Sequence, residues 1–250
     1  MSGKVRLDRL VVERGLAESR ERAQRLIMEG AVLVDGRGGV KAGHLVASDA
    51  EVRLKEKERF VSRGGWKLEG AFRAFGEKGW NVEGKRCVDV GASTGGFTDC
   101  LLQHGARAVV AVDVGKGQLH PRVAGDARVE VRDGVNARHL QEGELGEPAE
   151  AAVTDVSFIS LKLILPAIDR VLAPGGQTVA LIKPQFEAGR ADVGRGGVVR
   201  DEAVRARVVA EVREFGEREL GWEWLGCEES PLRGPAGNVE YLSWWRKPER

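Results

Sequence analysis

Residues 86–100 read RCVDVGASTGGFTDC. An apolar run of Cys87, Val88 and Val90 ends on Asp89 and Gly91. A loop of small residues passes through Gly95 and Gly96, and Phe97 to His104 continues as a helix-like run. Strand, glycine-rich turn and helix in that order predict the ligand-binding turn of an α/β fold. The glycines let backbone approach a ligand, and the helix N-terminus offers unpaired N–H groups. Two ligand classes fit poorly. A dinucleotide turn carries glycine where this loop has Ser93, and a P-loop continues Gly-Lys-Ser/Thr where this one has Gly95-Gly96-Phe97. Asp89 is unfavourable for a phosphate and suits a cationic or hydroxyl-bearing ligand. Taken alone, the stretch also fits a turn whose small residues only pack.

Downstream, Ala108–Val112, Val129–Val131 and Ala151–Thr154 are short apolar strands running into Asp113, Asp133-Gly134 and Asp155. With Asp89, four successive strands end in aspartate, and ligands of open α/β sheets bind at strand carboxyl ends. Asp113 follows Gly91 at the spacing of a carboxylate that binds ribose hydroxyls. Leu161–Leu172 predicts an apolar helix stopped at Pro174-Gly175-Gly176, Thr178–Ile182 a strand ending in Lys183-Pro184, and 202–219 a helix. Trp222–Cys227 and Val239–Trp245 predict an antiparallel ending to the sheet. Gly189–Arg200 reads as a flexible basic loop, either a plain surface loop or a flap over substrate. The six tryptophans read as packing.

Such a pocket suits S-adenosyl-L-methionine. Asp89 and the backbone of Gly91, Ala92, Ser93, Gly95, Gly96 and Phe97 are expected to hold its amino-acid part. Asp113 and Val114 are placed at the ribose, and Asp133, Gly134 and Asp155 along the rest. An activated methyl leaves the protein to supply alignment and a nucleophile. Lys67, Asp155, Lys183 and Glu240 remain as two cations and two anions that can converge there. Lys67 alone reads as a surface lysine in the first turn of a helix from Trp66 to Gly79, after a break at Gly64-Gly65. A lysine desolvated beside another cation can remove a proton from a weakly acidic ribose hydroxyl, with carboxylates orienting the pair.

The 250 residues suffice for one large core or two smaller ones. The composition, 31% charged and 42% hydrophobic, is that of an ordinary folded chain. No long apolar run predicts a membrane span and the first residues show no signal core. Cys87, Cys100 and Cys227 at unhelpful spacings suggest reduced thiols in a cytoplasm, and four scattered histidines suggest no metal site. Net charge is +1, but residues 1–59 carry +3 and the remainder −2.

Residues 5–29 predict two short helices, the second capped by Ser19, with Ala23, Leu26 and Ile27 inward and Arg20, Arg22 and Arg25 elsewhere. Val32–Val34 predicts a strand before the turn Asp35-Gly36, and Val40, Leu45–Ala47 and Val52–Leu54 predict further strands. No aromatic occurs before residue 60, so any RNA contact here reads backbone and shape. Residues 6–36, RLDRLVVERGLAESRERAQRLIMEGAVLVDG, resemble the RNA-binding domain named after a small-subunit ribosomal protein, the S-four type. The resemblance implies an αα-turn-β module over 1–59 with its second helix towards RNA. A linker is expected at about 55–62, and a catalytic domain over 60–250. The expected RNA contacts are Arg6, Arg9, Ser19, Arg20, Arg22 and Arg25, with Arg63 beyond the linker.

FVSRGGWKL, DVGASTGGFTD, TDVSFISL, LIKPQFE and GNVEYL, in that order, resemble the TlyA (hemolysin A-like) family of rRNA methyltransferases, and the Lys-Asp-Lys-Glu set resembles FtsJ/RrmJ-type ribose methyltransferases. The resemblance implies a Rossmann-like domain with a mostly parallel sheet and an antiparallel C-terminal strand. It implies Lys67, Asp155, Lys183 and Glu240 as the catalytic set, Lys183 foremost, and cytidine 2′-hydroxyls of ribosomal RNA or ribosomal subunits as substrate. A membrane-active haemolysin, an inactive RNA-binding factor and a base methyltransferase are the weaker readings. The first lacks a span, the second is at odds with four competent residues, and the third has no need of the lysine pair.

Overall fold

The computed structural model describes residues 3–55 and 58–249, and the chain divides into two compact units, Met1–Arg59 and Phe60–Arg250. Of the linker expected at 55–62, residues 56 and 57 lie outside the described residues. Phe60 is buried and the Val61 N–H donates to Asp99 Oδ2 at 2.8 Å, so both belong to the body of the large unit.

The small unit runs β1 (Lys4–Arg6), α1 (Leu7–Glu13), α2 (Arg20–Met28), β2 (Val32–Val34), β3 (Leu45–Ala47) and β4 (Val52–Leu54). Leu7, Leu10 and Val11 on α1 face Ala23 and Ile27 on α2 over one apolar core. Ser19 caps α2 by accepting the Arg22 N–H at 3.2 Å, as expected. Two antiparallel pairs, β1–β3 and β2–β4, complete it. β1 was not anticipated, being three residues of mixed polarity, and Val40 lies outside any strand.

The large unit comprises α3 (Arg63–Phe75), β5 (Arg86–Val90), α4 (Gly96–Gln103), β6 (Ala108–Asp113), α5 (Pro121–Ala124), β7 (Val129–Asp133), β8 (Ala149–Thr154), α6 (Leu165–Val171), β9 (Leu172–Ile182), α7 (Pro184–Glu187), α8 (Glu202–Glu219), β10 (Glu223–Glu229) and β11 (Tyr241–Arg246). Its seven-stranded sheet has the order β10-β11-β9-β8-β5-β6-β7. β5 to β9 pair in parallel and β11 pairs antiparallel with β9 and β10. Side chains alternate across it. Val88, Val90 and Val110 pack with α6 and α8 on one face, and Cys87, Val109 and Val153 pack with α3 and α4 on the other. The chain leaves β5 towards β6 on one side, while β8 pairs on the other. The loops after β5 and β8 therefore flank a topological switch point, where such sheets bind ligands.

Three local expectations are corrected. Gly64-Gly65 does not break the chain but lies inside α3, because its N-terminus crosses that of α4. A Cβ on Gly65 would meet the Phe60 ring at 2.2 Å, and one on Gly96 would meet Gly65 N at 2.7 Å. Pro174-Gly175-Gly176 falls within β9, which the helix enters at Leu172. The 189–200 segment is anchored at its C-terminal end. Asn238 accepts the Val199 N–H at 2.9 Å and donates to the Gly197 carbonyl at 2.8 Å, and Val199 is buried.

Candidate active site

Three distant segments bring charged side chains to one wall of a cavity of about 440 Å³ beside the glycine loop, and a fourth sets a buried carboxylate behind them. Lys67 comes from α3, Asp155 from the end of β8, Lys183 from the end of β9, and Glu240 from just before β11. The Lys67 ammonium donates to Glu240 Oε2 at 2.6 Å and to Asp155 Oδ2 at 3.3 Å. Lys183 Nζ lies 2.5 Å from Asp155 Oδ1, an ion pair off the hydrogen-bond direction, and donates to Ser157 Oγ at 2.8 Å. The order is Glu240–Lys67–Asp155–Lys183, with charges alternating. Glu240 is 1% exposed and Asp155 19%, so the chain of charges runs from the interior to the cavity. Buried ions are tolerated when each has a partner, and removing one member strands its neighbour. The two lysines thus share a carboxylate instead of facing each other uncompensated.

A second cavity of about 540 Å³ shares Gly91, Ser93, Asp155 and Ser157 with the first. Asp113 and Val114 line it, and the Asp113 carboxylate accepts the Ser93 and Gly115 N–H groups at 2.8 and 2.7 Å. Ala92, Gly96 and Phe97 line the first cavity. Gly91 turns through φ 83°, and a Cβ there would come within 3.0 Å of Val156. At Gly91 the loop therefore keeps backbone, not a side chain, beside the space.

Four expected cofactor residues, Asp89, Gly95, Asp133 and Gly134, line neither cavity; Gly95 packs against Leu119, which a Cβ there would meet at 2.7 Å. Asp89 is fully buried beneath the loop and lines neither cavity. Burial pushes its carboxyl up to about 7, against the pull of hydrogen bonds from Thr98, whose hydroxyl donates at 2.6 Å. Asp133 accepts the Gly117 N–H at 2.7 Å, and neither it nor Gly134 lines the second cavity; Val135 and Asn136 do. The aspartate spacing located the strand ends but could not say which side chains point inward.

Sequence reasoning passed over further residues. Phe158 is 90% exposed at the cavity rim with φ 64°, a left-handed conformation unfavourable for a bulky residue. Its ring lies 5.1 Å from that of Phe186. Arg233 lines the first cavity, and its carbonyl accepts from Arg63 Nη2 at 3.2 Å. Only the motif TDVSFISL hinted at Phe158, and nothing local marked Arg233.

Burial pushes the Cys87 and Cys227 thiols up to about 12, unsuited to nucleophilic chemistry. Glu69, Cys100 and His104 come together although their spacing gave no sign of it. His104 lies 2.9 Å from Glu69 and stacks on Phe72, so this group is accounted for as packing of α3 on α4.

In the small unit, Arg6 and Arg20 converge on the buried Asp8. Arg6 binds it through two nitrogens at 3.1 and 2.9 Å, Arg20 through Nε at 3.0 Å, and Gln24 adds a bond at 2.9 Å. These partners hold the Asp8 carboxyl well below its ordinary range. Both arginines stay about half exposed (44% and 56%), so their outer edges face water. Arg22 and Arg25 are exposed on α2, Arg9 pairs with Glu13, and Ser19 is engaged as the cap.

Two families match this chain: FtsJ-like methyltransferase over residues 60–247 and S4 domain over residues 5–57. The 16S/23S rRNA (cytidine-2′-O)-methyltransferase TlyA of Mycobacterium tuberculosis is 46% identical over 248 residues, covering 98% of this chain and 91% of that protein. A solved structure from Streptococcus thermophilus, described as a hemolysin, is 42% identical with a TM-score of 0.75, covering all of this chain and 90% of that one. The N-methyltransferase NodS of Bradyrhizobium japonicum, solved with S-adenosyl-L-homocysteine, shares the fold alone. It is 15% identical with a TM-score of 0.50, over 75% of this chain and 86% of NodS.

Proposed function

The chain belongs to the TlyA family of FtsJ-like methyltransferases with an S4 domain, and from that premise we propose that it methylates the ribose 2′-hydroxyl of a cytidine in ribosomal RNA, using S-adenosylmethionine. One observation carries the reading: the Glu240–Lys67–Asp155–Lys183 chain reaches the surface where the two cavities meet. A methyl donor lying along the glycine loop from the first cavity into the second would present its methyl group near Asp155, beside Lys183.

The residues fit S-adenosylmethionine. The backbone-lined loop and the N-terminus of α4 suit its amino-acid end, Asp113 suits ribose hydroxyls, and Val114, Val135 and Asn136 suit a flat base. Bound there, it supplies a methyl group already activated by the sulfonium charge. Lys183 would take the proton of the 2′-hydroxyl as that oxygen accepts the methyl group. Asp155 aims Lys183 and stabilises the ammonium that results, and Lys67, held by Glu240, keeps Asp155 in place. Phe158, backed by Phe186, offers a stacking face for the target nucleotide. Arg6, Arg20, Arg22 and Arg25 supply phosphate contacts from the S4 unit.

Incubation with methyl-labelled S-adenosylmethionine and ribosomal RNA or subunits, followed by mapping of modified nucleotides, tests this. Label on cytidine 2′-oxygens is expected; label on base atoms, or none in RNA, rejects it. The haemolysin reading gains nothing from the fold: no helix among the described residues is long and apolar enough to cross a membrane.

A further inference from the structure

Residues 183–187 touch residues 155–161 at both ends. At the first end Lys183 meets Asp155 and Ser157. At the other, Glu187 uses both carboxylate oxygens: Ser160 Oγ donates to Oε2 at 2.6 Å and the Leu161 N–H donates to Oε1 at 2.7 Å. Ser160 Oγ in turn accepts the Lys162 N–H at 3.1 Å and so caps the short 3-10 helix Leu161–Leu163. Between these ends, Phe186 backs Phe158. Phe158 has the unfavourable φ, and such a conformation persists only where its surroundings over-determine it. The hydrogen bonds that do so on its C-terminal side run to Glu187. Glu187 lines neither of the two cavities that meet at Asp155, and it has no part in the reaction as drawn above.

We propose that Glu187 is a positioning residue: by gripping Ser160 and Leu161 it fixes the 155–160 segment, and so sets Asp155, Ser157 and Phe158 against Lys183. The inference rests on the methyltransferase reading and adds a device to it. The segment between β8 and the 3-10 helix is short. A release of its far end passes directly to Phe158, two residues before Ser160, and to Asp155 at its start. A shift of about 1 Å at reacting groups can cost about 100-fold in rate.

The test compares kcat, the KM for RNA and the affinity for S-adenosylmethionine in the full chain. Glu187→Ala is expected to lower kcat about 10- to 100-fold at saturating cofactor and RNA. Glu187→Gln, which can still accept from Leu161 and bond Ser160, is expected to recover to within about threefold of wild type. Ser160→Ala is expected to fall between them. The double variant Glu187→Ala/Ser160→Ala should be no worse than Glu187→Ala, because both break one contact. Wild-type kcat in Glu187→Ala, no rescue by Gln, or fully additive effects overturns the proposal. If Glu187→Ala does not fold, Ser160→Ala decides: a lowered kcat supports the grip and an unchanged one overturns it. Failure of the wild-type protein to methylate any RNA would instead reject the underlying reading.

Discussion

Asp8 in the small unit and Asp155 in the large one are both carboxylates that gather two cations, and they do it in opposite surroundings. Asp8 is buried while its partners, Arg6 and Arg20, reach into water. Asp155 borders a cavity while its partners, Lys67 and Lys183, are at most 10% exposed. The first arrangement presents fixed positive charge outward and never alters it, since a guanidinium does not deprotonate in proteins. The second keeps ammonium groups away from water next to a reaction space, where a lysine can give up and take back a proton. One geometry suits holding a polyanion, the other suits chemistry on it. Exchanging lysine and arginine at the two places separates these roles.

The largest effect is expected at Lys183→Arg. Arginine keeps the charge beside Asp155 but cannot accept the 2′-hydroxyl proton, so turnover should fall by about 10²–10⁴-fold. Affinity for S-adenosylmethionine, read by calorimetry, should stay within a few-fold. Near-normal methylation by this variant would make the lysine a mere electrostatic anchor and collapse the contrast with Asp8.

The two regions also differed in how far the sequence revealed them. The apolar alternation of β5, β6 and β8 and the glycine loop were readable because strand period and turn chemistry are local properties. Lys67 and Glu240 stand 173 residues apart and meet only through packing of α3 against the sheet. Composition and spacing left Lys67, taken alone, a surface lysine, and the pair was marked only as charges left over once the pocket was assigned, and by motif resemblance. Asp89 was read as a ligand contact because it ends its strand, yet the inward pleat buries it. Gly64-Gly65 was read as a break because its actual partner, the α4 backbone at Gly96, is distant in sequence. In the small unit the three arginines of α2 were visible, but the anchor of Arg20 was not. Asp8 was given no role of its own in the sequence, and only the fold closes Arg6, Arg20 and Gln24 over it.

Asp8→Asn sharpens the comparison from the anchoring side. The amide keeps the shape but leaves two arginines without their counter-charge. Because the arginines are half in water, the loss is modest, about 1–3 kcal/mol of small-unit stability. RNA affinity should drop several-fold, with kcat on saturating RNA unchanged. An equal fall in kcat would show that the two charged clusters are not separable.

The buried aspartates should also respond oppositely to pH. The Asp8 carboxyl is held low, so its stabilisation is complete above about 4 and vanishes as pH falls through its folded value. The Asp89 carboxyl is pushed up to about 7, so its contribution is complete below about 4 and is lost as pH rises through about 7. All six tryptophans lie beyond residue 59, so tryptophan fluorescence reports the large unit alone. Its melting temperature is expected to be higher at pH 5.5 than at pH 8 by on the order of a few degrees, a difference Asp89→Asn should remove. The methyl signal of Ile27, the lone isoleucine before residue 60, should show the small unit unchanged across that range. A large-unit melting temperature that falls on acidification to 5.5 would contradict the assignment.

The smallest effect is expected where lysine replaces an arginine of the Asp8 cluster, and there the two arginines should differ. Arg6 grips Asp8 through two nitrogens, a fork that lysine cannot reproduce, whereas Arg20 uses Nε alone. Arg20→Lys should therefore weaken RNA binding by no more than about twofold, and Arg6→Lys by about threefold. Both variants keep their positive charge, so the slope of log affinity against log salt should stay within about one unit of wild type, the contribution of roughly one phosphate contact. Titrations of a ribosomal RNA fragment at several salt concentrations separate the two quantities. A tenfold loss from Arg20→Lys at unchanged slope would mean that its free nitrogens read a particular RNA shape. A changed slope would mean that Asp8, rather than the charge it anchors, decides how many phosphates this unit meets.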